Sequence, residues 1–273
     1  MTNLATQELT PGVLLVLEGI CNRGIIQKGG RALVVDSGVG PAEAAPLRSL
    51  VESYVDGRQL FLCNTHAHGD HVYGNQVFAD CPIIAHTDLR HEMVTSGAET
   101  LAGWRQNPRM AAWVDDVIVT PPTVVFTDMI GFFFEDLEVQ LRYVGAAHSA
   151  SDSVVWLPQS RTLFTGDLLF NAIVPAMPPG CNLVAWEHAL DALIGLEPEH
   201  VVPGHGPVQS PAALADLRGW FARLHAQVGD AKAKGWDREA AVARVAASMQ
   251  DLVPCGREER LPAAVGQAFD QFA

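Results

Sequence analysis

The sequence predicts a layered α/β fold that ends in a block of amphipathic helices. Three features carry this expectation. Short apolar runs of strand length alternate with stretches of helical spacing up to about residue 206. Polar residues beside glycine stand at the ends of several of those runs. Beyond Pro211, apolar residues recur at i, i+3 and i+4, as in Leu214, Leu217, Phe221 and Leu224.

Taken in order, 13–17, 24–27 and 32–35 read as strands, with Gly29-Gly30 as the turn between the second and third. Asp36-Ser37-Gly38 closes this portion, and Asp36 is expected to support a neighbouring ligand or make a turn hydrogen bond. Residues 41–55 have helical spacing, with proline at the start. A short apolar strand at 60–64 leads into a histidine-rich loop, and 82–85 is another strand. Residues 87–116 are expected to be helical, broken at Gly97, Gly103 and Pro108. Strands return over 120–142, and 153–157 with 162–165 forms a hairpin around a turn at 158–161. A helix at 183–196 precedes a short strand at 201–202. Three amphipathic helices follow, at about 211–233, 237–250 and 261–272.

Composition narrows the function. A chain of 273 residues buries most of its apolar surface without disulfides, and no apolar run approaches the ~18 residues a membrane span needs. The net charge of −13, without any Lys/Arg cluster, argues against nucleic acid and against anionic membrane surfaces as partners. The opening Met1-Thr2-Asn3-Leu4-Ala5 lacks the features of an export signal, so a cytoplasmic location is expected. Cys21, Cys63, Cys81, Cys181 and Cys255 are odd in number and contain no CxxC, which favours small buried hydrophobes over a disulfide framework or thiolate site.

The strongest chemical signal is His66-Ala67-His68-Gly69-Asp70-His71. In an extended loop alternate residues point the same way, so His66 and His68 can face one metal. Asp70 and His71 follow the turn and can face a second. Imidazole and carboxylate suit a borderline divalent ion such as zinc; manganese, iron and cobalt also occupy such sites. By itself this run leaves the number of metals open. Three further candidates stand just after strands: His148 in Gly145-Ala146-Ala147-His148-Ser149, Asp167 in Thr165-Gly166-Asp167, and His205 in Pro203-Gly204-His205-Gly206. His86, His91, His188, His200 and His225 lie outside these motifs and read as surface or packing residues.

The ordered set THxHxDH, a later histidine in a Gly/Ser context, TGD and PGHG resembles the metallo-β-lactamase superfamily, over about two-thirds of the chain. The resemblance implies an αββα sandwich, with residues 1–210 as the catalytic domain and 211–273 as a helical extension packed on it. It implies two metal ions, zinc foremost. His66, His68 and His148 would hold the first, Asp70, His71 and His205 the second, and Asp167 would bridge both, as in the glyoxalase II-like branch.

The implied activity is hydrolysis. A hydroxide shared by two cations attacks a carbonyl carbon of a small-molecule ester, thioester, lactone or amide, with Asp70 orienting it or shuttling its proton. Within the superfamily, a glyoxalase II-like thioesterase needs basic residues for an acidic substrate tail, and only Arg257 and Arg260 offer themselves. A B3-like β-lactam hydrolase shares the His/Asp ligands but normally lacks the bridging Asp. Quorum-quenching lactonases place tyrosine where this chain has Phe170. An iron oxidoreductase of the persulfide dioxygenase type shares HxHxDH with a single iron. Trp113, Phe170 and Met177 are the foremost pocket candidates, with Met93, Trp104 and Met110 behind them; core packing is the alternative for each. The apolar 87–135 segment is a candidate homodimer surface.

Overall fold

A computed structural model of the chain describes residues 4–55, 59–208, 210–250 and 256–272. Met1, Thr2, Asn3 and Cys255, which entered the sequence reading, lie outside the described residues.

Two mixed sheets face each other. Among the described residues the first has seven strands in sequential order: β1 (Thr6–Thr10), β2 (Val13–Val16), β3 (Arg23–Lys28), β4 (Arg31–Val35), β5 (Leu60–Cys63), β6 (Ile83–His86) and β7 (Val124–Phe126). β1 to β4 pair antiparallel, through two-residue turns at β1–β2 and β3–β4 and the longer segment 17–22 between β2 and β3, and β4 to β7 run parallel. The change comes where α1 (Pro41–Glu52) supplies the crossover that parallel neighbours need. The second sheet has the order β12-β11-β10-β9-β8, from β8 (Met129–Phe134), β9 (Leu137–Gly145), β10 (Asp152–Leu157), β11 (Thr162–Phe164) and β12 (His200–Val202).

Strand alternation divides the core into layers. On β4, Leu33 and Val35 face the second sheet and meet Val139, Leu141, Val155 and Phe164. Ala32 and Val34 face the opposite way, onto Ala44, Leu47 and Val51 of α1. β4 is therefore buried on both sides, as parallel strands in α/β structures are. The outer face of the second sheet is covered by α6 (Leu183–Gly195), α7 (Ala212–Ala233), α8 (Arg238–Met249) and α9 (Leu261–Gln271). On α7 the buried set includes Leu214, Leu217, Phe221, Leu224 and Val228, the stripe that its spacing predicts. The expected αββα sandwich with C-terminal helices is thus the architecture observed. No helix among the described residues is long and apolar enough to cross a membrane.

Several expectations need correction. β1 was not expected: Thr6-Gln7-Glu8-Leu9-Thr10 lacks an apolar alternation, being an edge strand with Gln7 and Glu8 exposed. The 120–142 stretch resolves into β7, β8 and β9, which belong to two different sheets. The first helix ends at Glu52, before residue 55. Gly103 does not break its helix. It sits inside α4 (Gly97–Gln106), with open space where a side chain would be. Gly97 does mark a boundary, between α3 (Thr87–Thr95) and α4. Cys21, Cys63, Cys81 and Cys181 are buried and unpaired, as expected.

Burial predicts how single positions weigh in stability. Phe221 of α7 is 0% exposed and Phe133 of β8 is 63% exposed. Phe221→Ala should lower the unfolding free energy by about 3–5 kcal/mol through cavity formation. Phe133→Ala should stay within about 0.5 kcal/mol. Urea denaturation of the two variants checks this, and equal losses would contradict the layer assignment.

Candidate metal centre

The seven sequence candidates converge at one end of the two sheets. Thr65, His66, Ala67 and His68 follow β5, and His68 caps the one-turn helix α2 (Gly69–Val72), which carries Asp70 and His71. His148 follows β9, Asp167 stands in the 3-10 turn Gly166–Leu168 after β11, and His205 follows β12. Glycine is demanded at two of these turns. Gly166 has φ +52°, and a Cβ on Gly204 would collide with Asp167 Oδ1.

The donors fall into two clusters, His66/His68/His148/Asp167 and Asp70/His71/His205, each with one atom per residue inside a 4.8 Å sphere of mutual distances. In the first, His68 Nδ1 lies 3.1 Å from His66 Nε2 and 3.0 Å from His148 Nε2. Asp167 Oδ2 lies 3.3 Å from His148 Nε2 and 3.7 Å from His66 Nε2. In the second, Asp70 Oδ2 is 3.2 Å from His205 Nε2 and 3.9 Å from His71 Nε2. Asp167 Oδ1 is 3.1 Å from His71 Nε2 and 3.3 Å from His205 Nε2, so its two oxygens face different clusters. Tetrahedral ligands about 2.1 Å from zinc are about 3.4 Å apart, and these separations bracket that value.

The donor set fits a pair of divalent cations on a second ground. His71 Nε2 and Asp167 Oδ1 are buried and make no well-formed hydrogen bond, which is costly for polar atoms unless a ligand engages their lone pairs. Electrostatics point the same way. Burial, together with the His148 charge, pushes His68 down to about 4, leaving it a neutral donor. Burial alone would raise both Asp70 and Asp167. The surrounding histidines outweigh it, holding Asp70 at about 2 and Asp167 well below the usual carboxylate range. His205 moves the other way: against its burial, Asp167 and Asp70 lift it to about 10.

A second layer of residues orients the donors. Asp36 Oδ2 accepts from His71 Nδ1 at 2.8 Å and from Thr65 Oγ1 at 2.8 Å, while Oδ1 accepts from the Thr65 amide at 2.8 Å. Thr65 Oγ1 in turn lies 3.1 Å from His66 Nδ1. The expected supporting role of Asp36 is therefore seen, and it reaches both clusters. Asp152 was missed by sequence reasoning: its carboxylate accepts from the amides of Ala147 and Ser149, fixing the turn that presents His148. The spacing His148-x-x-x-Asp152 was the available signal, an aspartate positioned to cap a turn. Ile20, whose carbonyl accepts from His205 Nδ1, Glu43, which accepts from the Ile20 amide, and Asn22, which donates to Pro203 O and Gly206 O beside His205, were also missed, and nothing local in the sequence marks them.

The pocket candidates separate. Phe170 joins the centre, nearly parallel to the His205 ring at 5.2 Å and 5.6 Å from His148. Met177 is partly buried against the core between the second sheet and the helices that cover it, while Trp113 is 47% exposed on the short helix α5 (Ala111–Val114). Met93 is core, with Trp104 and Met110 packed beside it. His86 is a packing residue, stacked on Tyr143 at 3.8 Å. His225 stacks on Phe272 in the same way.

An αββα sandwich with two His/Asp clusters at one end of its sheets defines a class of metal-centre protein. The chain belongs to the metallo-beta-lactamase superfamily, whose model matches residues 16–205. A metallo-beta-lactamase type 2 from Bacteroides fragilis is 32% identical over 85 residues, 30% of this chain and 34% of that protein. The 2,4-dinitroanisole O-demethylase subunit alpha of Nocardioides sp. (strain JS1661) is 21% identical over 243 residues, 88% of this chain and 65% of that one. This chain thus spans less than two-thirds of the length of either relative. Among solved structures, the inverting sec-alkylsulfatase Pisa1 from Pseudomonas sp. superposes with TM-score 0.71 at 17% identity, covering 99% of this chain and 51% of that one. At that identity the likeness concerns the fold.

Asp36 supplies the test of the centre's outer layer. Its φ of 59° is one that asparagine tolerates, so Asp36→Asn should fold. It should weaken zinc binding by about 10–100-fold, because His71 loses its carboxylate partner. Competition with a chromophoric chelator measures this, and unchanged affinity would remove Asp36 from the centre.

Proposed function

We propose that this chain is a dinuclear metal-dependent hydrolase of small molecules, acting at a carbonyl carbon of an ester, thioester, lactone or amide. The observation that carries this reading is Asp167, whose two oxygens face two separate donor clusters. Nitrogen-rich donors favour zinc. Bound there, two divalent cations would acidify a shared water to near neutrality and act as Lewis acids on the carbonyl oxygen.

The chain's own residues would divide the remaining work. His66, His68 and His148 would hold one ion, and Asp70, His71 and His205 the other. Held at about 2, the Asp70 carboxylate is ionised at neutral pH. Beside donating to the second cluster, it would orient the attacking water or carry its proton. Phe170 places an apolar face beside His205 and His148 and has no phenol to donate to an oxyanion. Trp186, fully buried and 5.0 Å from the His148 ring, packs behind the first cluster and helps keep bulk water from it.

A second reading is supported by the relative matched over 88% of the chain, an O-demethylase of 2,4-dinitroanisole. It is cleavage of an aryl methyl ether with an electron-poor leaving group, which needs the same oriented water and the same stabilised leaving oxygen.

Metal analysis followed by a hydrolysis panel tests both readings. Two zinc per chain and turnover of an aryl ester, thioester, lactone or β-lactam are expected. One iron per chain, with oxygen uptake on a persulfide, would replace hydrolase by oxidoreductase. Activity restricted to dinitroanisole would select the ether reading, and activity restricted to phosphodiesters would overturn the carbonyl-centred mechanism. His68→Ala and Asp70→Ala should each lower turnover by at least about 100-fold with the fold kept, since the first removes a donor of the first cluster and the second a donor that would also orient the water. Near-normal turnover in either, with metal content checked, would contradict the assignment. Chelation with EDTA should abolish turnover, and readdition of zinc should restore it.

A further inference from the structure

The segment 17–22, between β2 and β3, touches the second cluster from behind at three places. Ile20 O accepts from His205 Nδ1 at 3.0 Å. Cys21 Sγ donates to Asp70 O at 3.0 Å. Asn22 Nδ2 donates to Pro203 O and Gly206 O, both at 2.9 Å, and the Asn22 amide donates to Gly204 O at 2.8 Å. Asn22 therefore clamps the turn that carries His205. Among the described residues, no hydrogen bond from 17–22 reaches His66, His68 or His148. The first cluster is backed differently, by Thr65 at His66 and by nothing at the buried His148 Nδ1.

The segment is itself locked by Glu43, in the first turn of α1. Glu43 Oε1 accepts from the Ile20 amide at 2.9 Å, and Oε2 accepts from the Val39 amide at 2.7 Å. The second bond pins the loop after Asp36, which holds the outer nitrogen of His71. Arg23, with a fully buried side chain, lies 3.6 Å from Glu43 Oε1, donates to Glu43 O at 3.0 Å and also donates to Glu18 O. Gly19 has φ +132°, and a Cβ there would collide with the Glu43 carboxylate, so the segment closes directly onto it. One carboxylate thus fixes two backbone segments, and each segment holds the outer nitrogen of a second-cluster histidine.

We propose that Asn22 and Glu43 are positioning residues whose loss weakens the second metal more than the first. The inference rests on the dinuclear reading above. Asn22 holds the His205 turn, and Glu43 holds the Ile20 segment that backs His205 and, through Val39, the loop whose Asp36 backs His71, while Thr65 and Asp152 support the first cluster. The second site can therefore be loosened while the first stays intact.

Stepwise zinc dissociation constants, measured by chelator competition, test this in Asn22→Ala and Glu43→Gln. The electronic spectrum of the cobalt-loaded proteins reports each site separately. Asn22→Ala should lose about 10–100-fold in affinity for the second ion and keep wild-type affinity for the first, and Glu43→Gln should weaken the second ion more than the first. Glu43→Gln removes the charge partner of a buried guanidinium and can unfold the chain. In that case Asn22→Ala, which deletes only bonds to loop backbone, decides the matter. Equal weakening of both ions, or no change in either, overturns the proposal. A wild-type chain that binds a single ion instead refutes the dinuclear reading itself, an outcome visible before any variant is compared.

Discussion

The Asp36 carboxylate meets three donors in a volume that water does not enter. It takes the Thr65 amide on one oxygen, and the Thr65 hydroxyl and His71 Nδ1 on the other. It can do so because β4 ends at Val35 and the chain turns through a left-handed residue at Asp36. That turn aims the side chain across the end of β5, where Thr65 begins the histidine loop. Take this carboxylate away and the two ends of that loop lose their common reference. His66 is held through Thr65 and His71 directly, so the two clusters are registered to each other by one side chain.

The sandwich sets the remaining coordinates. His66 to His71 come from the first sheet, whereas His148, Asp167 and His205 come from the second. The distance between these groups is the distance between packed sheets, maintained by Leu33, Val35, Val139, Val155 and Phe164 in the shared core. Separations of 3.0–3.9 Å among donor atoms therefore depend on side-chain packing well away from them. The parallel β11–β12 pair aligns the Asp167 and His205 turns, and the bridge between Phe170 and His205 extends that pairing into the site.

Legibility in the sequence followed the range of the interaction involved. α7 was readable because its buried stripe is written in one local period. The seven donors were readable because residue type and glycine neighbours are local too, and the structure brings all seven together. β1 was not, since an edge strand held by pairing with β2 needs no apolar face of its own. The division of 120–142 between two sheets was equally hidden, because period-2 alternation says nothing about which sheet a strand joins. Glu43 reads as an ordinary first-turn acidic residue, and only the tertiary structure brings the Ile20 and Val39 amides to its two oxygens. Supporting residues at long sequence separation leave no periodic trace.

The centre is also a thermodynamic burden on the fold. Asp36 and Asp167 are almost wholly buried, and Asp70 lies among the same imidazoles. Burying carboxylates costs several kcal/mol each unless positive charge or hydrogen bonds offset it. Asp36 is offset by three donors from the chain. Asp167 has no comparable set: Oδ1 lacks any well-formed hydrogen bond, and its charge is offset only by the histidines around it, His71 and His205 among them. A carboxylate surrounded in this way gains most from a divalent cation on each side. The contrast between the satisfied Asp36 and the unsatisfied Asp167 separates a scaffold carboxylate from one whose free oxygen suits a metal within one buried cluster.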